Sequence, residues 1–82
     1  MSSVASIVAA MRRAPSNVRF ADVWKVCVHY FGMPRQSGTS HAVFRTPWPG
    51  DPRVSVQDFR GQAKPYQVKQ VLRTIERWEA KE

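Results

Sequence analysis

Of the two histidines in this chain of 82 residues, one has surroundings suited to acid–base chemistry. His41 follows Gly38-Thr39-Ser40, which reads as a turn, and it lies near the start of a β-like run over 40–46 in which Arg45 is on the same side of the strand. An imidazole titrates near neutral pH and can act as a general base or acid, and a nearby guanidinium can stabilise a phosphate. His41 is therefore a candidate catalytic residue, and an exposed strand histidine without a function is the alternative interpretation.

RNA is the substrate that suits a lone histidine among cations. RNA carries its own nucleophile, the 2′-hydroxyl beside the scissile phosphate, so the substrate itself supplies most of the proximity. The formal net charge of +7 agrees, because a strongly positive surface attracts polyanions, of which nucleic acid is the first candidate and an anionic membrane surface the second. An acidic protein partner is the remaining explanation of the charge.

Other catalytic arrangements are not visible in the sequence. The two histidines lie in different predicted elements, and neither belongs to a set of acids and thiols at metal-ligand spacing. Cys27 is the only cysteine, which excludes an intramolecular disulfide and a cysteine-rich zinc site. It lies on an apolar helical stripe, which predicts a small buried hydrophobe, and His29 is interpreted as a surface or capping histidine. We expect no metal and no cofactor.

Apolar residues at helical spacing predict three helices around a β-rich middle. The three stripes lie over residues 4–11, 20–31 and 68–78, and they are bounded by Pro15, by Gly32 and by Lys64-Pro65. In the middle, two β-like runs at 40–46 and 53–57 flank a proline-rich loop at 47–52, and residues 33–37 can supply a preceding strand. The middle therefore predicts a three-stranded antiparallel meander.

Strand alternation predicts which residues the sheet leaves uncovered. With Phe44 as the core anchor, one face of the sheet turns away from the helices, and we call it the open face. The residues predicted to share this open face are His41, Arg45, Arg53, Ser55 and Gln57.

The order of elements predicts an α+β domain with helices on one face of a three-stranded antiparallel sheet. We expect one domain over 1–82, in which an accessory N-terminal helix at 1–15 precedes a core at 16–80. No apolar run approaches the ~20 residues that span a bilayer, and the N-terminus lacks the basic start of a secretory signal. We therefore expect a cytoplasmic protein that does not enter a membrane.

Other side chains are candidates for contact with RNA. Lys69, Arg73 and Arg77 follow one another at four-residue spacing, which fits a solvated helix face as well as a phosphate-binding edge. Lys64 stands ahead of a helix N-terminus, where anions bind readily. Trp48 is interpreted either as a lid over the core or as a base-stacking residue.

Several stretches of the chain resemble one known family. Ser40-His41-Ala42-Val43-Phe44, closely preceded by Gly38, is similar to the Gly-Ser-His-x-x-Phe signature of HicA-type toxins, the small mRNA interferases of bacterial toxin–antitoxin pairs. The similarity continues over 46–54 and 63–72, covers roughly residues 16–76, and is to a longer subfamily with an extra N-terminal helix. Thr39 stands where the family commonly has glycine, a departure that concerns activity rather than fold.

The resemblance implies an α-β-β-β-α fold like the double-stranded-RNA-binding domain, with an additional N-terminal helix. It also implies a metal-independent endoribonuclease that cleaves mRNA with His41 as its catalytic residue, and a HicB-type antitoxin that covers this site. A non-catalytic RNA-binding module of the same fold is the alternative, in which His41 only contacts RNA. The residues expected to bind RNA are Arg35, Gly38, Ser40, Arg45, Lys64, Lys69 and Arg73.

Overall fold

The computed structural model describes residues 3–34, 36–37, 41–46 and 53–80, which form three helices and four strands. The strands make one antiparallel sheet in the order β1-β2-β3-β4, so the predicted α+β class is confirmed. None of the helices in these ranges has the length and apolar character that crossing a membrane requires. The elements are α1 (Val4–Arg13), α2 (Phe20–Phe31), β1 (Gln36–Ser37), β2 (His41–Arg45), β3 (Arg53–Phe59), β4 (Gln62–Ala63) and α3 (Pro65–Ala80).

The helices begin and end where local chemistry predicts. Oγ of Ser3 accepts a hydrogen bond of 3.1 Å from the main-chain N–H three residues later and caps α1, which ends before Pro15. Gly32 follows α2 with a φ of 82°, a left-handed conformation that glycine adopts without a Cβ clash. The carbonyl of Lys64 accepts hydrogen bonds from two main-chain N–H groups in the first turn of α3.

The core lies between the sheet and the helices. Helices α2 and α3 pack on the face of β2 and β3 that buries Phe44 and Val56. Helix α1 packs against α2 and α3, and its Met11 is fully buried in the same hydrophobic cluster. The helix interpreted from the sequence as accessory therefore contributes directly to the core.

The predicted strands occur with different lengths. The first was expected over 33–37, and the described strand is Gln36–Ser37, which pairs with β2 through Gln36↔Val43. The second was expected over 40–46 and covers His41–Arg45, which pairs along its whole length with β3. The proline-rich loop at 47–52, with Trp48, lies outside the described residues.

A fourth strand of two residues adds to the predicted three-stranded antiparallel meander. Strand β3 continues two residues beyond the expected end, to Phe59, and turns back into β4 through Arg60 and Gly61. These two residues have φ values of 54° and 85°, as in the two-residue turns whose twist matches an antiparallel hairpin. Oδ1 of Asp58 accepts the N–H of Gly61 at 2.6 Å, which closes the turn. The sequence lacked the usual signal, because arginine is not a typical residue for a left-handed turn position.

Candidate nucleic-acid interface

Residues of β3 alternate between the buried face and the open face of the sheet. Val54 and Val56 are buried against the helices, whereas Arg53 is exposed and Ser55 and Gln57 are half-buried. The same alternation in β2 leaves Arg45 exposed beside a buried Phe44. The predicted placement of Arg45, Arg53, Ser55 and Gln57 on the open face is therefore confirmed.

The register of β2 and β3 sets two cross-strand pairs on which the candidate site depends. Arg45 lies directly opposite Arg53, which places their Cβ atoms about 5 Å apart. His41 lies directly opposite Gln57, four residues and about 13 Å along the strand from Arg45. The structure describes the backbone of His41 and its register. Its side chain lies outside the described part of the chain, so exposure of the imidazole stays a prediction.

A groove of about 270 Å³ lies where the start of β3 faces the outer side of α3. Three arginines from two elements line it, namely Arg53 from β3 and Arg73 and Arg77 from α3. Guanidinium groups bind phosphate and carboxylate oxygens through paired, charge-assisted hydrogen bonds, so the groove is chemically suited to an anion. The remaining lining residues are Thr46, Val54, Gln70 and Thr74.

The groove joins two sets of cations that the sequence analysis treated as separate. Arg53 belongs to the open face through its pairing with Arg45, and it also lines the groove with Arg73 and Arg77. The cations of the sheet and of the last helix thus form one positive track. Nothing in the spacing of residues along the chain reveals this junction, because it depends on how α3 is set against β3.

Two glutamines hold α3 against the edge of β3. Of the residues of β3, only the last two pair with β4, so the described part of the chain offers no strand to the rest of that edge. Gln67, which is only 5% exposed, accepts the main-chain N–H of Gln57 on its Oε1 at 2.8 Å. Gln70 donates from Nε2 to the carbonyl of Arg53 at 3.5 Å. Neither contact could be predicted from the sequence, because a polar residue beside an apolar stripe carries no signal of burial.

The other predicted RNA-binding residues have different positions. Lys69 and Arg73 are exposed on α3, where Arg73 lines the groove and Lys69 lies one turn before it. Lys64 is half-buried and directly follows Ala63, whose partner in β3 is Asp58. It therefore lies near the end of the sheet that holds His41 and Gln57, away from the arginine groove. Arg35, Gly38 and Ser40, together with Thr39, lie outside the described residues.

Cys27 and His29 are the other groups that the sequence analysis weighed for chemistry. Cys27 is fully buried, and burial raises the pKa of its thiol to about 12, so it is protonated at neutral pH, as its predicted structural role requires. His29 is exposed near the end of α2, and its ring packs edge-on against Tyr30 at a centroid distance of 5.1 Å. Among the described residues, no cluster of three His, Cys, Asp or Glu side chains could hold a metal ion.

The sequence analysis also overlooked exposed aromatic side chains near the sheet. Phe59 ends β3 and is 58% exposed, and the guanidinium carbon of Arg60 lies 5.5 Å from its ring centroid. Tyr66, in the first turn of α3, is 64% exposed. The sequence could have indicated the exposure of Phe59 only through strand alternation, which places it two residues beyond Gln57 on the same face of β3.

Comparisons of the chain with protein-family models, with curated proteins and with solved structures find no match. The function of this chain must therefore be inferred from its own residues. Its structural basis is the arginine pair across β2 and β3, the groove that continues this pair onto α3, and the position of His41 on β2. This arrangement is suited to a polyanion that extends from the sheet to the last helix.

Proposed function

We propose that the protein is a metal-independent endoribonuclease that cleaves mRNA, with His41 as its acid–base residue. The observation that supports it most directly is the pair Arg45↔Arg53 on the open face, in which Arg45 shares strand β2 with His41. Guanidinium groups bind phosphate oxygens through charge-assisted hydrogen bonds, so two of them side by side on an exposed face are suited to an RNA backbone.

The arrangement of the cations favours a chain of phosphates over a single small anion. From Arg45 and Arg53 the positive track continues into the groove with Arg73 and Arg77. In the opposite direction, an RNA backbone that continues from the arginine pair along β2 reaches His41, about 13 Å away. The arginines then bind the RNA and orient it, and the histidine acts on one of its linkages.

The chemistry needs few protein groups because the 2′-hydroxyl is the nucleophile. As the 2′-oxygen forms its bond to phosphorus, a neutral imidazole of His41 accepts the hydroxyl proton. The bond from phosphorus to the 5′-oxygen breaks, and that oxygen takes a proton from a general acid or from water. The products are a 2′,3′-cyclic phosphate and a 5′-hydroxyl, and a cation near the phosphate stabilises the charge that develops.

The proposal extends to the family that the sequence resembles. The order α2-β1-β2-β3-α3 is compatible with the α-β-β-β-α layout of a double-stranded-RNA-binding domain, to which α1 and the short β4 are additions. In this proposal the protein is a HicA-type toxin of a toxin–antitoxin pair. Its second partner is a HicB-type antitoxin, and an acidic surface on that protein would complement the arginines that bind RNA.

A non-catalytic RNA-binding module is the alternative, because the same arginines serve both functions. Purified protein incubated with a 5′-labelled single-stranded RNA in excess EDTA separates them. We expect cleavage products that end in a cyclic phosphate. Retention of intact RNA would favour the binding module, and an absence of both cleavage and salt-sensitive binding would contradict both functions.

A further inference from the structure

Phe59 is an aromatic side chain that the fold does not use in its core. It is 58% exposed, although it ends a strand whose inward-facing residues are buried. The described ring–ring contacts lie among the aromatic residues of the helices, His29 and the buried Phe44. The ring contact described for Phe59 is with the guanidinium of Arg60, at 5.5 Å from the centroid. Phe59 is therefore available to a ligand.

Arg60 is held in a conformation that its residue type disfavours. Its φ of 54° lies in the left-handed region, at the first central position of a two-residue hairpin turn. Asn, Asp and Gly are favoured there because they adopt this conformation at little cost. Arginine is the poorer choice for the turn, but it brings a planar cation over the ring of Phe59. Strain retained in the backbone beside a candidate site is an argument that the residue serves a function.

The register places this ring beside the candidate cleavage site. Gln57 lies directly opposite His41, and Phe59 follows two residues later on the same face, about 7 Å along the strand. Unpaired RNA bases stack on aromatic side chains and on arginine planes, which is how proteins commonly bind single-stranded RNA. We propose that Phe59 and Arg60 form a stacking platform for an unpaired base of the nucleotide next to the cleaved linkage. This inference rests on the proposed function and adds a base contact to it.

The charge at the platform favours a nucleobase over an apolar protein side chain. The guanidinium of Arg60 lies over the ring of Phe59. Its positive charge attracts both the π-face of a base and the phosphate of the same nucleotide. The side-chain oxygen of Asp58, the nearest acid in sequence, accepts the hydrogen bond that closes the turn. The platform also lies at the end of the sheet opposite the arginine groove, so one RNA strand can engage both.

The test uses single-stranded RNA with 2-aminopurine at successive positions, because the fluorescence of this base is quenched when it stacks. All variants carry His41→Ala so that the RNA stays intact during titration. We expect quenching at one position, its loss in Phe59→Leu, its retention in Phe59→Trp, and an affinity about 5- to 100-fold lower for Phe59→Leu. Phe59→Leu with unchanged affinity and quenching would overturn the platform and leave this surface to a protein partner, while RNA binding itself would still stand. Failure of every variant, including the parent, to bind RNA would instead overturn the proposed function.

Arg60 provides a second variant whose effects on stability and binding have opposite signs. Arg60→Asn should raise the melting temperature, because asparagine suits the left-handed turn, and it should weaken RNA binding several-fold. Arg13→Asn, at an exposed position in the last turn of α1, controls for the loss of one charge. Equal losses of affinity in the two variants would contradict a specific role for Arg60.

Discussion

The main-chain N–H of Gln57 donates a 2.8 Å hydrogen bond to Oε1 of Gln67. Gln57 lies opposite His41, so this bond links that part of β3 to the first turns of α3. It also gives an acceptor to a main-chain N–H on the part of the β3 edge that β4 does not reach. Because Gln67 is almost completely buried, the bond also fixes the position of α3 along β3. The arginine groove further along these two elements depends on that position.

Loss of the Gln67 amide should therefore weaken the whole fold. Gln67→Leu keeps a similar volume but leaves the N–H of Gln57 without this acceptor, which typically costs about 1–3 kcal/mol. Urea unfolding measures the change. Tyr66→Phe is the matched control, since it removes only the 3.5 Å contact between the tyrosine hydroxyl and Nε2 of Gln67, and it should change stability by less than about 0.5 kcal/mol. Equal stability of Gln67→Leu and the parent would contradict this role.

Helix α1 should behave as part of the core. Met11 is fully buried among α1, α2 and α3, so Met11→Ala should reduce the free energy of unfolding by about 2–5 kcal/mol. The neighbouring Arg12→Ala removes an exposed ion pair with Glu79 at 4.0 Å and should cost less than about 1 kcal/mol. If the two substitutions had similar small effects, α1 would be peripheral.

The buried thiol of Cys27 should lower the free energy of unfolding at alkaline pH. Burial raises the pKa of its thiol from 9.0 to about 12. Between these values the unfolded chain releases the thiol proton while the folded chain keeps it, so stability falls as pH rises above 9. From pH 8 to pH 10 the parent should lose about 1 kcal/mol more than Cys27→Ala, in paired denaturant titrations that cancel the other titrating groups. Parallel losses in the two proteins would show that the thiol is not buried.

The arginine track predicts how salt acts on RNA binding. Each phosphate contact on a single strand contributes about −0.7 to the slope of log K against log salt concentration. In a His41→Ala background, Arg53→Gln should reduce the magnitude of the slope by at least this amount. Arg13→Gln, on α1 and away from the sheet, should leave it unchanged. Identical slopes for these two variants would place the bound RNA elsewhere on the surface.

Much of the fold could be predicted because its signals are local. Ser3 and Gly32 cap helices with side-chain and backbone chemistry that acts within a few residues. Alternation around Phe44 correctly identified the open face because a strand has a period of two wherever one face is buried. The length of β3 was less predictable, since pairing with a neighbouring strand decides where a strand ends.

The parts of the site that could not be predicted depend on tertiary register. The buried Gln67 and the junction of Arg53 with Arg73 both arise from the way α3 lies along β3. The turn at Arg60 escaped detection because its residue type argues against its conformation. A conflict between residue type and backbone conformation, once the structure shows it, marks a position where the choice of residue is not explained by folding alone.

The central claim, that His41 is the acid–base residue, is tested most directly by the rate of RNA cleavage in EDTA. The rate is measured for the parent, for His41→Ala and for His29→Ala. His29 is the matched control, because it is the other histidine and its exposed ring packs only against Tyr30 among the described ring contacts. If His41 is the acid–base residue, His41→Ala should cleave about 10²–10⁴-fold more slowly, with an unchanged melting temperature, and His29→Ala should keep the parental rate. Cleavage by His41→Ala at the parental rate would contradict the account.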